Sequence, residues 1–332
     1  MRLARRLGGR LLIGLVMIWV VASGTFFLVR LMPGNPVAAQ FETDVQHGMS
    51  PAAAKAQTSL LYGFVPKQPL PQQYLHYVWQ LAHFNLGQSI SQEGVPVAHI
   101  IGAAAPWTII MVLSGTLVSF LIGVSAGLLA AIKRSTKLGD LLTVSGSLLH
   151  GIPQFVLGIL LAYLFTTVWA VFQLNGPYNV SVTPGWNLPF IGSLITQAVL
   201  PVSAYALSSY GGWLLTMKSS VVSVLGDDFI LAAELRGLRR LTVARYVARN
   251  AMLPLFTILA LSIGFMFGGS IFIEDIFNYP GLGYLLFTSI GKRDYPLMTG
   301  AFLIITVAVV LCNILADLFY GIIDPRIRRS DR

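Results

Sequence analysis

Few residues of this chain have the types and spacing that enzyme chemistry requires. The five histidines include no pair four residues apart with the acidic partner that marks a zinc-binding helix. No Gly-x-Ser-x-Gly segment offers a nucleophilic serine. A phosphate-binding loop is also missing, since Gly291 and Lys292 are followed by Arg293. The sequence therefore predicts no catalytic residue, no metal ligand and no cofactor-binding residue in this chain.

One ionisable residue, Asp317, falls at the end of an apolar stretch, where ion or proton pathways usually place such groups. Asn313 lies one helical turn earlier on the same face. The pair is either a proton relay or a hydrogen-bonded carboxylate near the membrane surface, and we favour the second interpretation. Energy for any transport is then expected to come from outside the chain.

The composition is that of a membrane protein. Of the 332 residues, 55% are hydrophobic and 11% are charged, and the mean hydropathy is +0.73. Soluble domains carry about 25% charged residues, so an ordinary soluble enzyme is excluded. A disordered chain is excluded too, because it needs low hydrophobicity and high charge. The sequence predicts an all-α polytopic membrane protein, in which the single cysteine, Cys312, forms no internal disulfide.

Six apolar segments reach the roughly 20 residues that a transmembrane helix needs. The first, 11–29, could also begin a cleaved signal peptide, but Arg30 closes it without a small-residue cleavage site. The uncharged stretch 141–217 contains turn-forming residues at 175–179 and 184–187, so it supplies two helices that flank a loop. The remaining segments are 105–132, 250–273 and 295–316.

The distribution of basic residues orients these helices, because cytoplasmic segments carry the excess of lysine and arginine. Six spans with both termini cytoplasmic place 17 of the 22 basic residues inside: Arg2, Arg5, Arg6, Arg10, Lys133, Arg134, Lys137, Lys218, Arg236, Arg239, Arg240, Arg245, Arg249, Arg326, Arg328, Arg329 and Arg332. The outer side keeps Arg30, Lys55, Lys67, Lys292 and Arg293. Basic residues at the membrane boundaries, next to lipid, account for the net charge of +9. No nucleic acid partner is needed to explain it.

The chain is thereby divided into four parts. They are the N-terminus with helix 1 (1–31), an extracytoplasmic segment (32–104), a five-helix core (105–325) and a cytoplasmic tail (326–332). Residues 218–249 of the core form a large inner segment.

The inner segment contains the signals of a short helix. Asp227 or Asp228 can cap its start, and Ala232 and Ala233 are strong helix formers. Gly237 can end it, as a glycine after the last helical turn often does. A solvated loop with one helical turn is the alternative. We interpret the segment as an exposed helix that is presented to a cytoplasmic partner.

Ala232-Ala233-Glu234-Leu235-Arg236-Gly237, followed by Leu253-Pro254, resembles the EAA loop of ABC importer permeases, most closely those of the dipeptide/oligopeptide type. Further segments resemble this family in the same order: 30–36 (RLMPGNP), 69–74 (PLPQQY), 85–89 (NLGQS), 274–283 (EDIFNYPGLG), 293–296 (RDYP) and 324–328 (DPRIR). The resemblance covers nearly the whole chain.

The resemblance implies a non-catalytic subunit in the bacterial cytoplasmic (inner) membrane. It implies four kinds of partner: a second homologous permease subunit, two cytoplasmic ATPase subunits that hold ATP and magnesium, an extracytoplasmic substrate-binding protein and membrane lipid. The inner helix would be the coupling helix that docks on the ATPase. Its docking residues would be Asp228, Leu231, Ala232, Ala233, Glu234 and Gly237.

Some residues depart from the family pattern. Leu231 stands where the motif has glutamate, Glu234 where this subgroup often has arginine, and Asn85 where aspartate is usual. The stretch between Gly237 and Leu253 is one residue shorter than usual. These differences concern the contacts with the ATPase and the outer segment.

The function predicted is half of a translocation pathway for peptides. Nickel complexes or oligosaccharides are alternative substrates within the same importer type. Two classes are rivals. A secondary transporter or channel would show more ionisable groups in the membrane and often inverted repeats. A membrane-embedded enzyme would show clustered histidine, glutamate or aspartate within its helices. Gly264, Gly268 and Gly269 would allow close helix approach, either within the chain or to a second permease.

The predicted topology can be tested by labelling single cysteines in a Cys312→Ser background. Gln57→Cys and Asn179→Cys should react with an impermeant reagent added outside intact cells, whereas Thr136→Cys and Ser330→Cys should not. The expectation follows from the asymmetry of the basic residues. External labelling at position 330 would contradict the six-span arrangement.

Overall fold

The chain folds into helices. The computed structural model describes residues 2–31, 36–62, 69–92, 94–174 and 176–323. Within these ranges the extended pairing is limited to one isolated bridge between Gln88 and Pro96. The all-helical prediction is therefore confirmed for the described part of the chain.

The helices are α1 (Arg2–Leu31), α2 (Pro36–Gln46), α3 (Pro51–Tyr62), α4 (Leu70–Ala82), α5 (Val97–Ile132), α6 (Lys137–Gly151), α7 (Gln154–Ala162), α8 (Leu188–Leu225), α9 (Asp228–Leu235), α10 (Arg240–Ile276), α11 (Leu282–Gly291) and α12 (Tyr295–Ile323). A π-helical turn, Tyr163–Val168, continues α7. The start of α5 lies within the predicted outer segment 32–104.

Four helices among the described residues are long and apolar enough to cross a membrane: Gly8–Val29, Val97–Ile132, Leu188–Leu225 and Tyr295–Ala316. A fifth span arises if the bent pair Lys137–Gly151 and Gln154–Val168 counts as one. The predicted segment 250–273 lies within helix α10, which is not among these candidates. Four or five of the six predicted spans are therefore present among the described residues.

The bend between α6 and α7 has a local cause. Their axes differ by 99° at Ile152 and Pro153. Ile152 is extended (φ −89°, ψ 124°), as a residue before proline prefers, and Pro153 has no amide hydrogen for α6. The first of the two helices predicted within 141–217 is therefore itself two helices that run in different directions.

The chain forms two compact units, of which the first comprises residues 1–108 and 280–311. Here α4 packs on the end of α1. The hydroxyls of Tyr74 and Ser23 are 2.7 Å apart, and the Phe26 and Phe27 rings contact Tyr74 at centroid distances of 5.3 and 5.8 Å. Helix α4 is thus fixed to the first apolar helix.

Asp294 joins two further segments of this unit. Its carboxylate is fully buried and caps α12, where it accepts a hydrogen bond from the amide of Leu297 at 3.1 Å. The hydroxyls of Ser89 and Ser91 also donate to it, as does the Ser91 amide at 2.9 Å. The segments 85–89 and 293–296, which were singled out separately in the sequence, therefore meet at one carboxylate.

The second unit comprises residues 109–279 and 312–332. Its helices approach closely through glycines. A methyl group on Gly123 would lie 2.8 Å from the carbonyl oxygen of Tyr210, and one on Gly127 would lie 2.5 Å from that of Leu214. Gly123 and Gly127 have the small-xxx-small spacing that brings membrane helices together, here α5 against α8.

The glycines proposed for this role in the sequence, at positions 264, 268 and 269, lie on α10. Their packing falls outside the residues whose surroundings are described.

Gly211 makes the tightest contact between α6 and α8, because a methyl group there would collide with the carbonyl oxygen of Gly146. We expect Gly211→Ala to lower the stability of the chain by about 1–3 kcal/mol, as overpacking does. The adjacent Gly212→Ala is the matched control, since its methyl group would lie an acceptable 3.4 Å from the His150 ring. Thermal unfolding in detergent measures both, and equal midpoints would contradict the assigned contact.

Candidate functional site

Helix α9 is the short helix expected in the inner segment. It runs over Asp228–Leu235. Asp227 occupies the position before its first turn, although its carboxylate makes no capping hydrogen bond. Asp228 lies in the first turn, where a negative charge interacts favourably with the helix dipole.

Gly237 ends α9 as predicted. Its φ is +69°, a backbone conformation that glycine adopts without steric cost. The Gly237 amide donates to the carbonyl of Glu234 at 2.9 Å, and the Leu238 amide donates to that of Ala233 at 3.2 Å. This pair of bonds is the Schellman motif, which satisfies carbonyls that the helix would otherwise leave unpaired.

One face of α9 is buried in the chain itself. Ile230 and Ala233, three residues apart, share this face and are 2% and 7% exposed. They pack in a cluster with residues of α5 (Phe120, Val124, Ala131), α8 (Trp213, Met217, Val221) and α10 (Val243, Val247, Ala251, Leu255).

The assignment of Ala233 to the docking face is therefore corrected. Its side chain packs against the apolar helices, so a bulky or charged residue there would disrupt the cluster. The sequence could not distinguish Ala232 from Ala233, because both are alanines. The packing of the neighbouring helices determines which of the two side chains points inward.

The opposite face of α9 is apolar and open. Leu231 is 58% exposed, Ala232 is exposed, and Leu235 is 80% exposed. Phe229, 43% exposed, extends this surface at the start of the helix. We call these four residues the α9 outer face. The acidic side chains of Asp228 and Glu234 are exposed beside it.

Phe229 and Leu235 were not singled out from the sequence. Leu235 follows Leu231 by four residues, so helical spacing alone could have placed both on one face. Exposed apolar side chains grouped on a surface helix mark a site of interaction more often than scattered ones do.

Five basic residues follow the α9 outer face in the sequence. Arg236, Arg239, Arg240, Arg245 and Arg249 are all exposed, as expected from the sequence. The α8 and α10 helices that flank α9 are joined by a hydrogen bond from the Ser220 hydroxyl to the carbonyl of Ala251, at 2.8 Å.

A buried carboxylate, Glu274, lies near the end of α10 and was not identified as buried from the sequence. The Tyr279 amide donates to its carbonyl at 2.8 Å in the following loop. Burial raises the pKa of Tyr279 to about 12. The side chain of Asp317, the acidic residue that the sequence emphasised, lies outside the described residues, as do residues 326–332 of the tail.

Comparison with known proteins identifies a match to one protein family. Residues 123–329 match the family described as "Binding-protein-dependent transport system inner membrane component". A Brucella suis protein with a peptide permease name is 33% identical over 96% of this chain and 97% of its own. The dipeptide transport system permease protein DppB of Escherichia coli is 30% identical over 92% of this chain and 93% of its own.

Another relative is the nickel import system permease protein NikB of Staphylococcus aureus, 33% identical over 96% of this chain and 90% of its own. A chain from the crystal structure of an amino acid ABC transporter covers 68% of this chain and 94% of its own, with 16% identity and a TM-score of 0.49.

The end of α9 can be tested at Gly237, where added side-chain atoms would meet open space. Gly237→Val should cost about 1–2 kcal/mol, because a β-branched residue is strained at positive φ. Gly237→Asn is the control, since asparagine tolerates this conformation. Hydrogen exchange of 228–237 should be faster in the valine variant only. Equal exchange in the two variants would mean that the backbone conformation does not hold the helix.

Proposed function

Because the chain belongs to the family of inner-membrane components of binding-protein-dependent transport systems, we propose that it is one permease subunit of an ATP-driven peptide importer. The α9 outer face is the observation that supports this proposal best. It is an exposed apolar surface on a helix whose other face is buried among three long helices. Such a surface suits a coupling helix that receives force from an ATPase.

The proposed topology has six spans with both termini in the cytoplasm. The basic asymmetry of the sequence supports the orientation. In this arrangement α10 crosses the membrane over 250–273, and the bent α6–α7 pair is the third span. The inner segment and α9 then lie in the cytoplasm, and α2, α3 and α4 lie outside.

The proposed assembly contains a second homologous permease subunit, two ATPase subunits and an extracytoplasmic substrate-binding protein. ATP and magnesium bind on the ATPases. Closure of the ATPases on ATP moves α9, and the cluster around Ile230 carries this movement into α5, α8 and α10. The pathway between the two permeases then changes the side to which it opens.

Peptides are the proposed substrate. Relatives from Brucella suis and Escherichia coli, which are 33% and 30% identical to this chain, are named as peptide and dipeptide permeases. The Staphylococcus aureus nickel permease is similar to the same degree, so a nickel complex is the second candidate. Oligosaccharides are a further alternative. ATP hydrolysis by the complete transporter should rise with peptide-loaded binding protein. Stimulation by nickel alone would replace the peptide proposal with the second candidate.

The docking proposal is tested by Leu231→Arg and Ala232→Arg. Both residues are exposed, so neither change disturbs the buried cluster. Each would bury an unpaired charge in an ATPase cleft, at a cost of several kcal/mol. We expect at least a tenfold fall in the ATPase recovered by pull-down and a similar fall in transport-coupled hydrolysis, with normal amounts of the permease in the membrane.

Ala53→Arg and Ser181→Arg are the controls, because these residues are exposed and lie on the proposed outer side. They should leave ATPase recovery unchanged. Wild-type recovery and hydrolysis in both α9 variants would rule out the α9 outer face as the docking surface.

A further inference from the structure

A cavity of about 600 Å³ lies beside α9, which contributes Glu234 to its lining. Its apolar wall is formed by the last turns of α5 and α8 and the first turns of α10, including Leu128, Ile132, Val221 and Val247. Ligand cavities in proteins commonly measure 300–1,000 Å³ and are mostly apolar with a few placed polar groups. This cavity has that size, and its lining combines apolar and polar surface in nearly equal parts.

Two of the residues that line the cavity are arginines. Arg134 follows the last turn of α5 and Arg240 begins α10, and both line the cavity. Neither guanidinium makes an ion pair with a described residue, and both are exposed. Glu234 of α9 is the one acidic residue in the lining. The cavity therefore combines an apolar wall with two guanidinium groups and a single carboxylate.

We propose that this cavity binds an anionic phospholipid of the inner leaflet. The phosphate diester would lie between Arg134 and Arg240, whose planar guanidinium groups match phosphate oxygens in pairs. One acyl chain would lie along Leu128, Ile132 and Val221. Basic pockets between helices at the cytoplasmic surface are favourable sites for anionic headgroups.

The position of the cavity favours a lipid over a free phosphate ion. Ile132 is 52% exposed at the end of α5, so the apolar wall continues from the surface of an apolar span. An inorganic phosphate would use the arginines and leave this wall in contact with water. An acyl chain covers it and removes apolar surface from water.

The lipid would also act on α9. Glu234 lines the cavity, while Ile230 and Ala233 of the same helix pack in the neighbouring cluster. A bound lipid would therefore brace α9 against α5 and α10. The location in the inner leaflet rests on the proposed function, which places α9 in the cytoplasm.

The test measures phosphatidylglycerol binding to the purified full chain by native mass spectrometry, with phosphatidylcholine as the neutral comparison. We expect preferential binding of phosphatidylglycerol, and at least a tenfold loss of affinity in the double variant Arg134→Gln, Arg240→Gln. The matched control is Arg245→Gln, Arg249→Gln, which removes the same charge from exposed residues of the inner segment that do not line the cavity. It should change affinity less than twofold.

Ala244→Phe supplies a second variant, because Ala244 lines the cavity and a larger side chain would fill it without a change of charge. It should weaken phosphatidylglycerol binding, and millimolar inorganic phosphate should not compete. Equal loss in the control double variant, equal binding of both lipids, or competition by phosphate with no effect of Ala244→Phe would each overturn the proposal. Because ATPase subunits are absent from the assay, its result is independent of the docking experiment.

Discussion

The burial of Ile230 and Ala233 determines what α9 can do. Full burial of an isoleucine side chain contributes about 1.5–3 kcal/mol, which is enough to fix the rotation of an eight-residue helix. With these two residues inside, Leu231, Ala232 and Leu235 must face outward. The exposure of these apolar side chains to water is unfavourable. A partner that covered them would remove this cost. The contact that holds α9 to the chain thereby creates the exposed α9 outer face.

Close helix contacts in the second unit are made through glycines. Apolar side chains gain little from leaving lipid for another apolar helix, so close contact requires small residues. Gly123 and Gly127 bring α5 onto α8, and Gly211 brings α6 onto α8. Trp213 adds a specific polar contact, since its indole donates to the Ser119 hydroxyl at 3.1 Å. These contacts make α8 the common neighbour of α5 and α6.

The sequence predicted the local features of this arrangement well. Gly237 and the alanines before it were sufficient to locate α9, because helix ends depend on a few adjacent residues. The family was recognisable because its motifs are short and ordered along the chain. Three features could be determined only from the folded structure. The inward direction of Ala233 depends on α5, α8 and α10, and the 99° bend at Pro153 is invisible to a count of apolar residues. The bond between Ser89 and Asp294 joins residues 205 positions apart.

The segments that connect α9 to α8 and α10 are short, and this couples the position of α9 to the positions of these two long helices. Helix α8 ends at Leu225 and α9 begins at Asp228, while α9 ends at Leu235 and α10 begins at Arg240. Such short connections allow little independent movement of α9. The Schellman motif at Gly237 also fixes the backbone at the start of the α9–α10 connection. The Ser220–Ala251 hydrogen bond also ties α8 to α10. Since α9 is connected to α8 and α10 by short segments and is buried on one face, a displacement of α9 would be transmitted to both helices. An unattached loop of the same composition would absorb the movement instead.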